Sequence, residues 1–197
     1  GANKIMGFFE KNVFLFWHEG EKLMPIIHKM NIENIRKKLK NTEWNLIVTS
    51  LNINDENYIE NYINLPDYFH SIKSRTSDQN GVFGNQSDII RLRLLEKYGG
   101  VYFDTSTILL KKRIEDINLF KIFVNNINIQ LAGYTNVTFT RKTSEGESYF
   151  PQAKDGIELG VLYARKDSAL LKKFNYEIDL YWQWKTKEKN YKDYPPF

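Results

Sequence analysis

Short apolar runs, set between longer amphipathic stretches, constrain this chain more than any other feature. Val13–Trp17 (VFLFW), Trp44–Val48 (WNLIV), Val101–Phe103 (VYF) and Val161–Ala164 (VLYA) are too short to form buried helices. They are rich in β-branched and aromatic residues, so each reads as a buried strand. Ile108–Leu110 and Ile127–Ala132 read the same way. Between them, Ile26–Leu39 has apolar residues at 26, 27, 30, 32, 35 and 39, which is helical spacing with an interruption at Asn31. Ser87–Tyr98 reads as a helix closed by Gly99-Gly100. Ile117–Val124 and Ser168–Trp184 are the other helical segments, and Tyr58–Ile63 is a short helix stopped by Pro66. Polar, glycine-bearing Ser71–Gly84 reads as a mobile loop, and Gln152–Gly156 as another. Strands alternating with helices predict an α/β domain with a largely parallel sheet. With 197 residues the chain fits one such domain, residues 1–197.

Composition removes several function classes. With no Cys there is neither a disulfide framework nor a thiolate site, which suits a reducing, cytoplasmic setting. The three histidines, His18, His28 and His70, have no metal-ligand spacing. No apolar stretch approaches the roughly 20 residues of a membrane span. The net charge of +4 is carried by scattered groups, such as Arg36, Lys37, Lys38 and Lys40, or Lys111, Lys112 and Arg113. A solvated face is the plain reading of these groups; an anionic partner, a diphosphate or a lipid surface, is the other. No helix-turn-helix, RNP or zinc signature points to nucleic acid.

The segment Ser87–Thr107 carries the chemistry. On a helical wheel Arg93, Glu96 and Lys97 fall on a side that would face water. Ile90, Leu92, Leu94, Leu95 and Tyr98 cover the rest. Asp88 and Arg91 fall within that apolar arc, three residues apart, so they can share one locale. Burying a charge is costly unless it is paired. Two readings stand here: a buried pair that tethers neighbouring elements, or two polar groups gripping a hydroxylated ligand. Ser87 is a natural N-cap, and capping could account for Asp88 but not for Arg91. After the glycines, Val101–Phe103 delivers Asp104 to the carboxyl end of a strand, where open α/β sheets bind ligands. Asp104, Ser106 and Thr107 offer the oxygen donors that hard cations take.

The joined string SDIIRLRLLEKYGGVYFDTST resembles the S-D-x-x-R…GG-h-Y-x-D-x-D block of sugar transferases with a DXD motif. These include the capsular-polysaccharide-synthesis transferases, the yeast mannosyltransferase-like family and the glucosylating domains of large clostridial toxins. FLFWHEG, the Trp44–Asn52 segment and YINLPDYF extend the similarity over roughly residues 12 to 165. The resemblance implies a GT-A-type α/β fold with a mixed, mostly parallel central sheet flanked by helices. It implies transfer of a sugar from a nucleotide-sugar donor of UDP type, with Mn²⁺ or Mg²⁺. The acceptor would be a glycan, a lipid-linked glycan or another hydroxyl compound, as in surface polysaccharide or glycoprotein glycan synthesis; peripheral membrane contact is a separate expectation, from the basic groups and the two tryptophans near the C-terminus.

Trp17 matches the aromatic that stacks on the uracil, and Asn52 a polar contact to the nucleoside. Asp88 and Arg91 match residues that hold the donor sugar. Asp104 matches the first acid of DXD and is expected to contact metal and ribose. Ser106 stands where the second acid would be, as in the Asp-x-Ser and Asp-x-Thr variants of the capsular group. This departure motivates an alternative: a degenerate module that binds a nucleotide sugar or glycan without turnover. The families resembled are largely retaining, which needs positioning more than a base. Glu158, in DGIELGVLYA, is the expected acceptor-side carboxylate, with Asp155 as a weaker rival. Trp182 and Trp184 have no counterpart and read as helix core, with an acceptor platform or membrane contact as the other reading. Relatives usually continue past the terminal Tyr194-Pro195-Pro196-Phe197, so a shortened C-terminus is expected.

Overall fold

A computed structural model describes residues 11–73, 79–135, 138–143, 146–151 and 157–187. The central sheet has five strands in the order β2-β1-β3-β7-β4. These are β1 (Asn12–Phe16), β2 (Asn45–Thr49), β3 (Gly100–Phe103), β4 (Leu131–Thr135) and β7 (Ile157–Ala164). β1 pairs in parallel with both β2 and β3, in registers Val13↔Leu46 and Val13↔Val101. β7 is antiparallel to β3 and to β4, so it alone runs against the other four strands. The sheet is therefore mixed and mostly parallel, as expected of the α/β, GT-A-type architecture. β5 (Thr138–Thr143) and β6 (Gly146–Pro151) form a separate antiparallel pair, in addition to the elements expected.

Every residue of β1 is buried, because both faces of the sheet are covered. Successive side chains of a strand point to opposite faces. Val13 and Leu15 accordingly join one core with Val101, Phe103 and Tyr163. Ile32 and Ile35 of α1 (Ile26–Leu39) and Phe120 and Phe123 of α3 (Asn118–Asn125) close that face. Phe14, Phe16 and Tyr102 point into the other core. There Ile89, Ile90, Leu94 and Leu95 of α2 (Gln79–Tyr98) and Leu171 of α4 (Ala169–Thr186) cover them. Burying one such aliphatic or aromatic side chain contributes about 1.5–3 kcal/mol.

Several expectations are corrected. The helix expected from Ser87 already runs from Gln79, so Ser87 is an interior residue and not its N-cap, and residues 79–84 are helical rather than loop. Arg93 and Glu96 of α2 meet α4 instead of water, whereas Lys97 is exposed as expected. Arg93 forks onto both carboxylate oxygens of Asp179 at 2.7 Å, and Asn175 donates to Glu96 at 2.6 Å. α1 is continuous through Asn31. Ile108–Leu110 forms no strand: Ile108 and Leu110 point outward, 67% and 86% exposed. Tyr58–Ile63 shortens to a 3-10 turn at Ile59–Asn61. Trp184 is buried and Trp182 packs against the α2-side core, as their helix-core reading expects.

Candidate functional site

Two glycines set the stage. The α2 helix ends where Gly99 takes φ 67° and Gly100 φ 116°, conformations that L side chains rarely adopt. The reversal sends β3 back through the core and places Asp104 just past its carboxyl end. Asp104 N–H donates to the Gly160 carbonyl at 2.8 Å, fixing the residue against β7. Thr107 N–H donates to the Asp104 carbonyl at 2.8 Å, which folds Asp104–Thr107 into a turn.

Beside this turn lies a cleft of about 700 Å³. Trp17, Asp88, Arg91, Asp104 and Ser106 all line it, although they come from β1, α2 and the β3 turn. Arg91 is the hub. Its side chain is 6% exposed, and its Nη2 lies 3.0 Å from Asp104 and 3.3 Å from Asp88. The same nitrogen donates to Ser87 Oγ at 2.7 Å, Nη1 to the Leu159 carbonyl at 2.5 Å, and Nε to the Ser87 carbonyl at 3.3 Å. The guanidinium stacks 4.5 Å above the Tyr102 ring. Both sequence readings of the pair thus meet in one group. Arg91 is buried and tethered, whereas Asp88 and Asp104 remain 46% and 39% exposed at the cleft. Two carboxylates thus share one guanidinium. The Tyr102 phenol stays neutral, because burial pushes it up to about 12, and its hydroxyl lies 3.1 Å from Ser87 Oγ.

An aromatic cluster of Trp17, His18, His28 and Phe83 also lines the cleft. Trp17 packs on His28 at 4.9 Å between ring centroids and on His18 at 5.4 Å. His18 in turn stacks on Phe83 at 3.7 Å. Burial lowers the His18 pKa, with the Glu19 carboxylate opposing, so a neutral ring is favoured there. The Trp17 indole Nε1 is buried and has no hydrogen-bond partner among the described residues.

The other expected residues are placed differently. Asn52 is not among the residues lining the cleft. Its amide donates to the Glu19 carbonyl at 3.3 Å and its Oδ1 accepts from Asn54 N–H at 3.0 Å, which is the ordinary work of an Asx turn. Glu158 belongs to β7, where its backbone pairs with Tyr134, and its neighbour Leu159 lines the cleft. Asp155, the Gln152–Gly156 loop and the terminal Tyr194–Phe197 lie outside the described residues. Among the described residues, no group of three His, Cys, Asp or Glu side chains is arranged to hold a metal. The oxygen donors at the turn, the Asp104 carboxylate and the exposed Ser106 hydroxyl, fit a hard cation only as part of its shell.

One residue escaped the sequence reading. Asn31 of α1 donates to the Thr105 carbonyl at 2.8 Å and to the Thr107 carbonyl at 2.6 Å, clamping the turn behind Asp104. The sequence signal was present as a polar residue interrupting an apolar helix face, but it read as a break.

The family model for capsular polysaccharide synthesis proteins matches residues 3–195. The chain belongs to that family. It is 28% identical over 125 residues to the O-glycosyltransferase braB of Annulohypoxylon truncatum, covering 64% of this chain and 29% of that protein. It is 32% identical over 110 residues to the O-glycosyltransferase PaGT of Phomopsis amygdali, covering 55% of this chain and 26% of that protein. The chain therefore spans less than a third of the length of these two relatives. Among solved structures it is similar to the PaToxG glycosyltransferase, at 15% identity and a TM-score of 0.43, over 94% of this chain and 66% of that one. The kinship expected from SDIIRLRLLEKYGGVYFDTST, with glycosyltransferases of capsular synthesis, holds. Among the described residues, no helix is long and apolar enough to cross a membrane.

Proposed function

We propose that this capsular-synthesis family member transfers a sugar from a nucleotide-sugar donor, of UDP type, to a hydroxyl acceptor. The observation that carries the proposal is the Asp88–Arg91–Asp104 triad at the cleft that Trp17 also lines. The aromatic rings that line the cleft, Trp17 among them, suit a nucleobase, which stacks on such rings. Two half-exposed carboxylates held by a buried guanidinium suit sugar hydroxyls, because the acceptor oxygens are pre-positioned. Asp104 and Ser106 are the residues that would hold Mn²⁺ or Mg²⁺ as part of its shell, and a bound cation would supply charge stabilisation for the departing phosphate oxygens. Arg91 holds the two carboxylates side by side at the cleft, which offsets their mutual repulsion.

Transfer with retention is the reading that asks least of these residues. The departing diphosphate takes the acceptor proton, and the protein's task is to orient donor and acceptor. Glu158 is proposed on the acceptor side, next to Leu159 at the cleft. The acceptor class is a glycan or a lipid-linked glycan of surface polysaccharide synthesis. The test is hydrolysis of UDP-sugars with and without Mn²⁺. Asp104→Asn should lower the rate by about 100-fold or more. A variant at the wild-type rate would remove Asp104 from the site.

A second reading has its own support. Ser106 replaces an acid, and three-membered metal-binding groups are missing among the described residues. A non-catalytic binding module predicts calorimetric binding of a nucleotide sugar with no turnover against a panel of acceptors.

A further inference from the structure

We infer that the surface formed by the start of α1 and by residues 107–112, next in sequence to the cleft-lining His28, Thr105 and Ser106, is a docking surface for an anionic membrane. The first turns of α1 and the residues before it expose large aliphatic side chains: Leu23 at 64%, Ile26 at 73%, Ile27 at 71% and Met30 at 66%. Such side chains are exposed singly on most proteins, but a contiguous set marks an interaction site. The exposure stops within the same helix. Glu33, Lys37 and Lys40 continue the outward face with charge, so the apolar zone is confined to the end nearest the cleft. His28, inside that zone in sequence, lines the cleft itself.

A second segment extends the patch. Ile27, Asn31 and Lys38 stand at i, i+4 and i+11, on one stripe of the helix. Asn31 donates to the Thr107 carbonyl and Lys38 to the Leu109 carbonyl, so residues 107–109 run along that stripe. Ile108, 67% exposed, sits between the two anchored carbonyls, and Leu110, 86% exposed, follows. The failed strand of the sequence reading is thus an outward-facing apolar strip beside α1.

Charge selects the occupant. Residues 21–40 carry six Lys or Arg against two Glu, a surplus equal to the whole chain's net charge of +4. Exposed Lys22 and Lys37 flank the aliphatic residues in sequence on the α1 side, and exposed Lys111 and Lys112 follow Leu110 directly. Protein interfaces favour aromatic residues and Arg and are depleted in Lys. Aliphatic side chains flanked by Lys match the interface of an anionic bilayer, where apolar insertion and headgroup attraction add. Seated this way, the surface brings the cleft-lining His28, Thr105 and Ser106 toward the lipid, where a membrane-borne hydroxyl acceptor would be presented. The surface stands without the donor-site reading, and the two fail separately.

Co-sedimentation with vesicles tests it, using phosphatidylcholine alone and an equal mixture with phosphatidylglycerol. Wild type should partition onto the mixed vesicles and much less onto the neutral ones, with added salt releasing it. The double variant Ile26→Asp, Met30→Asp should lose binding by roughly tenfold or more, since each Asp would have to enter the interface. Lys111→Glu with Lys112→Glu should weaken binding to mixed vesicles by roughly fivefold per lysine and leave neutral vesicles unaffected. All four positions are exposed, so thermal unfolding should be unchanged, and so should hydrolysis of UDP-sugars in solution. Asp104→Asn should bind vesicles like wild type. Absence of sedimentation with mixed vesicles, or equal binding by the aspartate variant, overturns the proposal. So does a wild-type dimer that Ile26→Asp, Met30→Asp dissolves, because the surface then belongs to a second copy.

Discussion

Removing the Arg91 side chain leaves a Leu159 carbonyl, a Ser87 hydroxyl and two carboxylates without their shared donor. Breaking a buried pair from one side costs about 3–5 kcal/mol, and the exposure of Asp88 and Asp104 places Arg91→Ala at or below the lower end. Urea unfolding should show that loss. Arg91→Lys keeps the charge but not the fork, so it should recover only part of it. Asn31 offers a sharper comparison. Its amide gives two hydrogen bonds, so Asn31→Ala should cost about 1–2 kcal/mol. Asn31→Asp should cost more than that, because a carboxylate only accepts and would face the Thr105 and Thr107 carbonyls. Wild-type stability in both variants would show that the clamp contributes nothing. His18 adds a pH dependence of known sign. Its folded pKa is lowered below 6.5, so the unfolded chain takes the proton first. Its contribution to stability is whole above that pH and is lost as pH falls toward the folded value. Thermal unfolding of wild type and His18→Gln should therefore diverge least in mild acid and most above neutrality. At this scale the sequence exposed Asp88, Arg91 and Asp104, because charges in an apolar arc are visible on a wheel. It hid Asn31, because a contact across 74 or 76 residues leaves no local period.

Elements were legible where local chemistry and tertiary contact agree. The Gly99-Gly100 stop is such a place. A Cβ on Gly99 would meet the Lys166 backbone nitrogen at 2.7 Å and the Ala164 carbonyl at 3.3 Å, while φ stays at 67°. Both neighbours are backbone and cannot swing aside. Gly99→Ala should destabilise by about 1–3 kcal/mol from the left-handed conformation and the clash together, measured as a lower urea midpoint with unchanged slope. Wild-type stability in this variant would mean that the α2–β3 joint can shift. Elements were misread where the deciding partner is distant. Ser87 looked like a helix start because its hydroxyl suits an N-cap, yet that hydroxyl serves Arg91 and Tyr102 from mid-helix. Arg93 and Glu96 looked solvated because their partners, Asp179 and Asn175, sit on a helix some eighty residues on. Ile108–Leu110 has the residue types of a strand, but its neighbours are α1 side chains rather than a ladder.

For the molecule as a whole, the α/β order followed from alternating periods, while the cleft required the sheet to bring β1, α2 and the β3 turn to one edge. That convergence makes the donor reading testable without knowing sugar or acceptor. A ligand that binds only the folded state stabilises it by about 2.7 kcal/mol at a hundredfold excess over Kd. For a domain of this size each kcal/mol raises Tm by about 2–4 °C, so a true nucleotide-sugar donor should raise it by about 5–10 °C. The shift should need both the nucleotide and Mn²⁺ if Asp104 and Ser106 hold only part of the metal shell. Asp104→Asn should then lose the Mn²⁺-dependent part, and Trp17→Ala the part that depends on the base. Asn52→Ala should keep the full shift, because its amide is occupied by Glu19 and Asn54 away from the cleft. A Tm that rises equally in wild type and Asp104→Asn would place the nucleotide elsewhere on the molecule. A loss of the shift in Asn52→Ala would bring the loop after β2 into the donor site.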